Sequence, residues 1–519
     1  MQQNKIVTTK QKNPSRRFRY RLLLEGIAVG TAAGLVTVLF RLALEQADLF
    51  RQQISTFISA HSWAFFLWLP ILLGLAYLTV LLLRIEPYIS GSGIPQVKGE
   101  ILGGLSQKWW RVLTAKFAGG LLTIGAGLSL GREGPSIQIG AMAGKGISQL
   151  LHRGQTEEKM LLTCGASAGL SAAFNAPFAG ILFSLEELHK TFSTDILLSA
   201  TSASITAGFV SQCVFGLKPV FNFTATQMLP LHNYWMVLAL GVILGLVGAL
   251  YNFCIKKSQY LYDKIRSPFI RLAIPFLLAG ILLIVYPMVL GGGHNLIGLV
   301  SQDTLLQTLL LLFIIKFIFS MISFGSGAPG GIFLPLLVLG AICGSFFSQI
   351  LTLCGVANPL QNFVILGMAG LFAAIVRAPV TGVILICEMT GSFSHLLTLS
   401  IVSLTAYAIA DLLHAKPVYD ILLQRLMRKQ SPAPHSKGKL LIESPVCCGA
   451  PVCGKTIQEV SWPEQSLILS VKRYEQELIP KGKTVLKPGD ILLLLCDEAE
   501  SSAVQDYLEK QCKNPSETT

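Results

Sequence analysis

Few residues of this chain have chemistry to offer, and they stand out against their surroundings. Glu133 lies in Gly131-Arg132-Glu133-Gly134-Pro135, between the apolar stretch opening Phe117-Ala-Gly-Gly and the stretch Ser136-Ile-Gln-Ile-Gly-Ala-Met. A carboxylate at membrane depth is expensive, so it marks a functional site by default. Gly131 and Gly134 tolerate unusual backbone angles, and Pro135 suits the first turn of a helix. The segment therefore reads as a break between two helices, with a new helix starting near Pro135. A helix start offers free N–H groups and the positive end of the helix dipole, which together attract an anion. The plainer alternative is a loop outside the membrane whose Arg132 and Glu133 are simply solvated.

The elements that position Glu133 follow from composition. The chain has 519 residues, 52% hydrophobic and only 13% charged, with a mean hydropathy of +0.59. Apolar runs at Leu67–Leu83, Tyr234–Leu250, Leu272–Leu290 and Leu305–Phe319 approach the roughly 20 residues that a membrane-spanning helix needs. Other runs are short or cut by Gly and Pro, which predicts broken helices lining a cavity. The formal charge of +13 is no nucleic-acid signal, because its placement reads as topology. Seven Lys and Arg residues from Lys5 to Arg21 precede the first acid, Glu25, and Arg425, Arg428 and Lys429 follow the last apolar run. Positive flanks stay inside, so both termini are expected in the cytoplasm. The eleven cysteines show no disulfide framework, and no Cys-x-x-Cys or finger-spaced His suggests a metal; no cofactor is expected.

An internal repeat carries the architecture. A shift of 200 pairs Lys116-Phe117 with Lys316-Phe317, Gly125, Gly127 and Gly131 with Gly325, Gly327 and Gly331, and Pro135 with Pro335. After a two-residue slip, Gly165, Pro177 and Glu186 pair with Gly367, Pro379 and Glu388. Two duplicated halves, each with an odd number of crossings, insert upside down relative to one another and meet at a midplane site. The expected fold is an all-α polytopic membrane protein of two inverted-topology repeats with broken helices, followed by a small α/β cytoplasmic domain. The boundaries are 1–21 for a basic N-terminus, 22–218 and 232–425 for the repeats with a linker at 219–231, 426–438 for a second linker, 439–512 for the domain and 513–519 for a polar tail. Under the repeat Glu133 faces Phe333, so two helix starts, one from each half, would approach one point.

Four motifs in order, Gly91-Ser-Gly-Ile-Pro95, Gly131-Arg-Glu-Gly-Pro135, Gly330-Gly-Ile-Phe-Leu-Pro335 and Tyr419 in Lys416-Pro-Val-Tyr, resemble those of the CLC chloride channels and proton-coupled chloride transporters. The resemblance implies a homodimer in the plasma (inner) membrane with one pathway per subunit, moving chloride and protons, and not an enzyme. It assigns the anion to the Ser92 and Tyr419 hydroxyls and the N–H groups of Ile332 and Phe333. Glu133 becomes the gate and a proton carrier. A carboxylate is itself an anion, so N–H groups that hold chloride also hold it, and a bound chloride disfavours its ionised form; proton uptake and anion occupancy are thereby coupled. Glu187, which has no twin because Met389 stands opposite, takes the position of the internal proton-transfer glutamate of the exchangers. Passive channels of the same fold usually lack it, and they remain the nearest alternative, with antiport of another small anion behind. Ser92 favours chloride, since fluoride-selective relatives depart from Ser there and nitrate-preferring ones often carry Pro. Paired occurrence gives Glu186 and Glu388 a structural role at helix ends. For Lys116 and Lys316, snorkelling to the interface explains the sequence as well as an electrostatic role does. An intramembrane hydrolase using Ser92 lacks a His partner.

The tail differs. Ser431–Lys437 reads as a linker, and β-like runs follow at Lys439–Glu443, Ser466–Arg473 and Asp490–Leu495, separated by Pro-Gly turn signals. Gly454-Lys-Thr-Ile-Gln-Glu-Val and the stretch from Ile479 to Ile491 resemble the TrkA-C module, which implies regulation by an unidentified ligand or support of a dimer. Gly454-Lys-Thr is not a phosphate-binding loop, for the upstream glycine is misplaced.

Overall fold

The computed structural model describes residues 16–190, 193–217, 219–221, 223, 229–300, 304–356, 360–430, 439–447, 449–463, 466–473, 476–497 and 501–512. Most of the basic N-terminal segment, part of the 219–231 linker and the Ser431–Lys437 linker lie outside these residues. The described residues form two compact units, one within Met1–Met427 and one within Arg428–Thr519.

The first unit is helical. Its first half holds α1 (Arg16–Ala60), α2 (Ala64–Ile85), α3 (Ile94–Ile101), α4 (Trp109–Gly125), α5 (Glu133–Leu150), α6 (Gln155–Phe174), α7 (Pro177–Phe183) and α8 (Thr194–Phe215). The second holds α9 (Tyr234–Asp263), α10 (Pro268–Val285), α11 (His294–Val300), α12 (Leu306–Gly325), α13 (Phe333–Leu353), α14 (Leu360–Val376), α15 (Pro379–Thr390) and α16 (Leu396–Leu412), followed by α17 (Val418–Gln430). Among the described residues seven helices are long and apolar enough to cross a membrane, and they leave large apolar side chains such as Phe66, Phe209 and Phe253 exposed. In a membrane that surface meets lipid; this is an integral, multi-pass membrane protein. The run expected over Leu272–Leu290 is not one helix. It stops at Val285, because Pro287 cannot donate an N–H and disfavours helical angles at Tyr286. The same break precedes Pro87 in the first half.

The halves are two inverted-topology repeats whose packing is duplicated contact by contact. α5 lies on α6 and α13 on α14, and α8 lies on α1 as α16 lies on α9. A Cβ at Gly140 would overlap the Gly165 carbonyl oxygen, and one at Gly340 would overlap that of Gly367. Without a hydrophobic force between helices in lipid, such backbone-to-backbone contact supplies the dispersion energy of packing. Glu388 accepts from the N–H groups of Phe178 and Ala179 at the start of α7, at 3.1 and 2.8 Å. Glu186 does the same at the start of α15, with Val380 N at 3.2 Å and Thr381 N at 2.7 Å. Each half thus caps a helix of the other, satisfying amides that a helix start leaves orphaned.

Lys116 and Lys316 do not snorkel. Both are fully buried, and each ammonium binds two carbonyls of the broken stretch before a short helix. Lys116 Nζ donates to Ile89 O at 2.8 Å and Gly91 O at 2.6 Å, and Lys316 Nζ to Val289 O and Gly291 O, both at 2.8 Å. The chain breaks free these carbonyls from helical partners inside the membrane, where an unsatisfied polar group costs several kcal/mol, and that demand outweighs the pull of the interface.

The second unit is a four-stranded antiparallel sheet in the order β1-β4-β2-β3, from β1 (Lys439–Pro445), β2 (Ser466–Arg473), β3 (Gln476–Leu478) and β4 (Asp490–Asp497), with α18 (Ser501–Cys512). Leu441 pairs with Leu495 and Ile468 with Leu494, and a bulge interrupts β2 between Ile468 and Ser470. Alternating Leu492, Leu494 and Cys496 meet Val504, Leu508 and Cys512, which recur every four residues on α18, in a small core.

Candidate anion and proton site

The two halves meet at Gly131 and Gly331. Each donates its N–H to the other's carbonyl at 2.7 Å, an isolated antiparallel bridge joining the loops before α5 and α13. The helix begins at Glu133, two residues before Pro135. Gly131 and Gly134 do not adopt left-handed angles; they are needed for close approach. A Cβ on Gly134 would stand 2.6 Å from Ser92 Oγ and from Ser92 O, and one on Gly131 would overlap Glu133 Oε2 and come within 3.0 Å of Leu334 N. Gly93, by contrast, does turn left-handed, with φ 95°, to start α3 directly after Ser92.

This packing brings the expected residues to one place. Glu133 and Phe333 are the first residues of their helices and Ile332 stands at the N-cap of the second, so the N–H groups of two first turns have no partner within a helix. Ser92 and Tyr419 are buried, and neither hydroxyl bonds to another protein group. The Glu133 carboxylate is fully buried with neither oxygen in a well-formed hydrogen bond, and its electrostatic neighbours are the Arg132 charge and the N–H groups of Glu133 and Leu334. The Tyr419 hydroxyl lies within electrostatic reach of Glu133, Glu187 and Tyr251. Phe333 closes the wall, its ring centroid 4.7 Å from Phe372 and 5.2 Å from Phe174. Buried donors without protein acceptors, set at two positive helix ends, are what a small anion requires.

A cavity of about 900 Å³ is lined by Arg132 and Leu334, which flank this centre, and by none of Ser92, Glu133, Ile332, Phe333 and Tyr419. Arg41, Arg51 and Arg132 line it against Glu45 and Asp48, leaving a net positive field that concentrates anions.

Glu187 lies elsewhere in the same unit, on a π-helical turn, Ser184–His189, that continues α7. The wide turn, a form frequent at functional sites, sends its two carboxylates apart: Glu186 reaches α15, while Glu187 turns inward and is only 1% exposed. There it meets Lys98 Nζ at 2.8 Å.

The sequence profile of the voltage gated chloride channel family matches residues 74–411. This chain belongs to that family. A TrkA-C domain occupies residues 441–509. Among voltage gated chloride channel relatives, the H(+)/Cl(-) exchange transporter ClcA of Citrobacter koseri is 36% identical over 80% of this chain and 91% of its own. ClcA of Salmonella paratyphi B is 36% identical over 84% and 96%. A solved structure of a slow cyanobacterial Cl-/H+ antiporter aligns with a TM-score of 0.75 and 32% identity, covering 79% of this chain and 99% of that one. A CLC-type fluoride/proton antiporter gives 0.64 and 25%, over 77% and 97%.

Lys98, Asp420 and Arg132 are further residues of these sites that the sequence motifs do not single out. Lys98 carries its signal in plain view: it is the first charge after Ser92, six positions on, in a short helix buried at every residue. Asp420 is the neighbour of Tyr419. Only the fold shows that the two reach one another.

Proposed function

We propose that this protein is a secondary transporter exchanging chloride for protons. The observation that carries the reading is the convergence of the Glu133 carboxylate, the unpartnered Ser92 and Tyr419 hydroxyls and the starts of α5 and α13 on one buried point. Ionised, Glu133 occupies an anion position on those N–H groups; protonated, it no longer competes with chloride and swings away. Ser92, Tyr419, Ile332 and Phe333 hold the ion. Glu187 loads protons from the cytoplasmic side and hands them on to Glu133. Relatives named as H(+)/Cl(-) exchangers support the pair of substrates. The reading includes a homodimer in the plasma membrane with both termini cytoplasmic, and a C-terminal domain answering to a ligand.

Purified protein in liposomes, with the membrane potential clamped, tests it. A chloride gradient is expected to drive protons uphill. Reversal at the chloride equilibrium potential with no proton contribution would make this protein a passive chloride channel instead.

A further inference from the structure

Lys98 Nζ has three hydrogens, and two are committed to different carboxylates: Glu187 Oε1 at 2.8 Å and Asp420 Oδ1 at 2.7 Å. The other oxygen of Asp420 holds Lys190 Nζ at 2.6 Å. The four side chains form a file of alternating charge that runs from the interior outward, 2%, 5%, 26% and 50% exposed from Glu187 through Lys98 and Asp420 to Lys190. Its carboxylates come from a π-turn and from α17, and its inner ammonium from α3, the helix that Ser92 precedes. Tyr419, the residue before Asp420, stands in the anion site.

The other groups around Glu187 are accounted for. On α3, Glu100 is bonded to Lys145. From α6, Thr163 Oγ1 meets His189 Nε2 at 2.8 Å. On its own turn Glu186 is held by α15. From α17 come Tyr419 and Asp420, α8 carries Asp195 in its first turn, and α7 contributes no charge.

We propose that Lys98 is a positioning residue for proton transfer, a counter-charge shared between Glu187 and Asp420 that fixes the proton concentration at which Glu187 loads. The inference rests on Glu187 being the internal proton relay. In the loaded state the carboxylate Oε1 has become a carboxylic acid, and the ammonium of Lys98, keeping its own protons, stays with Asp420. In the unloaded state Lys98 holds both. No charge is left buried without a partner at either stage, which removes the main obstacle to titrating a carboxylate at this depth. Asp420 draws Lys98 away from Glu187, so loading is set by the balance of the two.

The test uses the full-length protein in liposomes, with chloride-driven proton flux measured against pH on each side in turn. An ammonium favours the ionised neighbour, so Lys98→Met should let Glu187 load at a proton concentration lower by roughly tenfold or more, moving the half-maximal point to higher pH. Lys98→Arg should restore the wild-type profile. Asp420→Asn leaves Lys98 to Glu187 alone and should move the point to lower pH. An unshifted profile in Lys98→Met, or equal shifts in Lys98→Met and Lys98→Arg, overturns the proposal. Should Lys98→Met fail to yield protein that carries chloride, Asp420→Asn decides, and an unshifted profile there overturns it. Glu187→Gln separates the two readings: coupling that survives in that variant removes the relay itself, whereas lost coupling beside an unshifted Lys98→Met profile removes only the role of Lys98.

Discussion

At the scale of single residues, the site contains two buried carboxylates in different surroundings. Glu133 lies among backbone N–H groups and the Arg132 charge with neither oxygen in a well-formed hydrogen bond, and Glu187 faces an ammonium. On the proposed reading the first exchanges places with an anion, and the second changes protonation beside a compensating charge. Glu133→Gln imitates the protonated gate, so it should carry chloride while losing proton coupling; proton pumping against a gradient in this variant would remove Glu133 from the mechanism. Glu187→Gln should likewise carry chloride without protons, and because its amide cannot titrate, no pH should restore coupling. Both are measured as paired chloride and proton flux in liposomes. Glu133 was legible in sequence, because a carboxylate in an apolar, Gly-rich context has few innocuous explanations, whereas Ser92 and Tyr419 were reached only through the likeness of their motifs to the family's. Lys98 was not, since its significance depends on Asp420, 322 positions away.

At the scale of elements, the glutamates that cap rather than titrate give the contrast. Glu186 and Glu388 each receive two backbone N–H groups from a helix of the opposite half. Glutamine keeps one acceptor and loses the charge assistance, so Glu186→Gln and Glu388→Gln should each destabilise by about 1–3 kcal/mol. Thermal unfolding in detergent should show a lowered transition, with proton coupling retained in the protein that folds. The repeat made this pairing legible, as matched glutamates after matched prolines imply matched jobs. The π-turn was not legible, for nothing in Ser184-Leu-Glu-Glu-Leu-His distinguishes it from a regular helical turn. The two lysines stayed open in sequence for a related reason: a lysine in an apolar run can reach outward or satisfy carbonyls inside, and only the position of the chain breaks at Pro87 and Pro287 decides.

At the scale of the whole molecule, the C-terminal domain has its own core and its own pH response. Burial raises the Asp490 carboxyl, but the Arg473 guanidinium at 2.7 Å and the Lys487 N–H outweigh it and hold the group below the usual carboxylate range. A folded value below the unfolded one stabilises the domain above about pH 4 and is lost as pH falls through the folded value. The protection of β4 amides against hydrogen exchange, relative to their intrinsic rate at each pH, should therefore fall in acid in the full-length protein. Asp490→Asn should exchange faster at neutral pH and respond less to acid; an unchanged acid response would place the sensitive group elsewhere.

The hydrogen bonds between the repeats bear on how the protein can move. Gly131 and Gly331 bind each other, Gly91 N–H reaches Gly327 O, Gly330 N–H reaches Gly91 O, and Gly291 N–H reaches Gly127 O. Inverted repeats commonly give alternating access by rocking one half against the other around a fixed site. Here such a rotation would tear main-chain bonds at its own fulcrum and strand amides away from water, each at about 1–3 kcal/mol. The scaffold is riveted where a rocking machine needs its hinge. What this frame leaves free to travel is a side chain, so on the proposed reading the barrier between inside and outside is no thicker than one carboxylate.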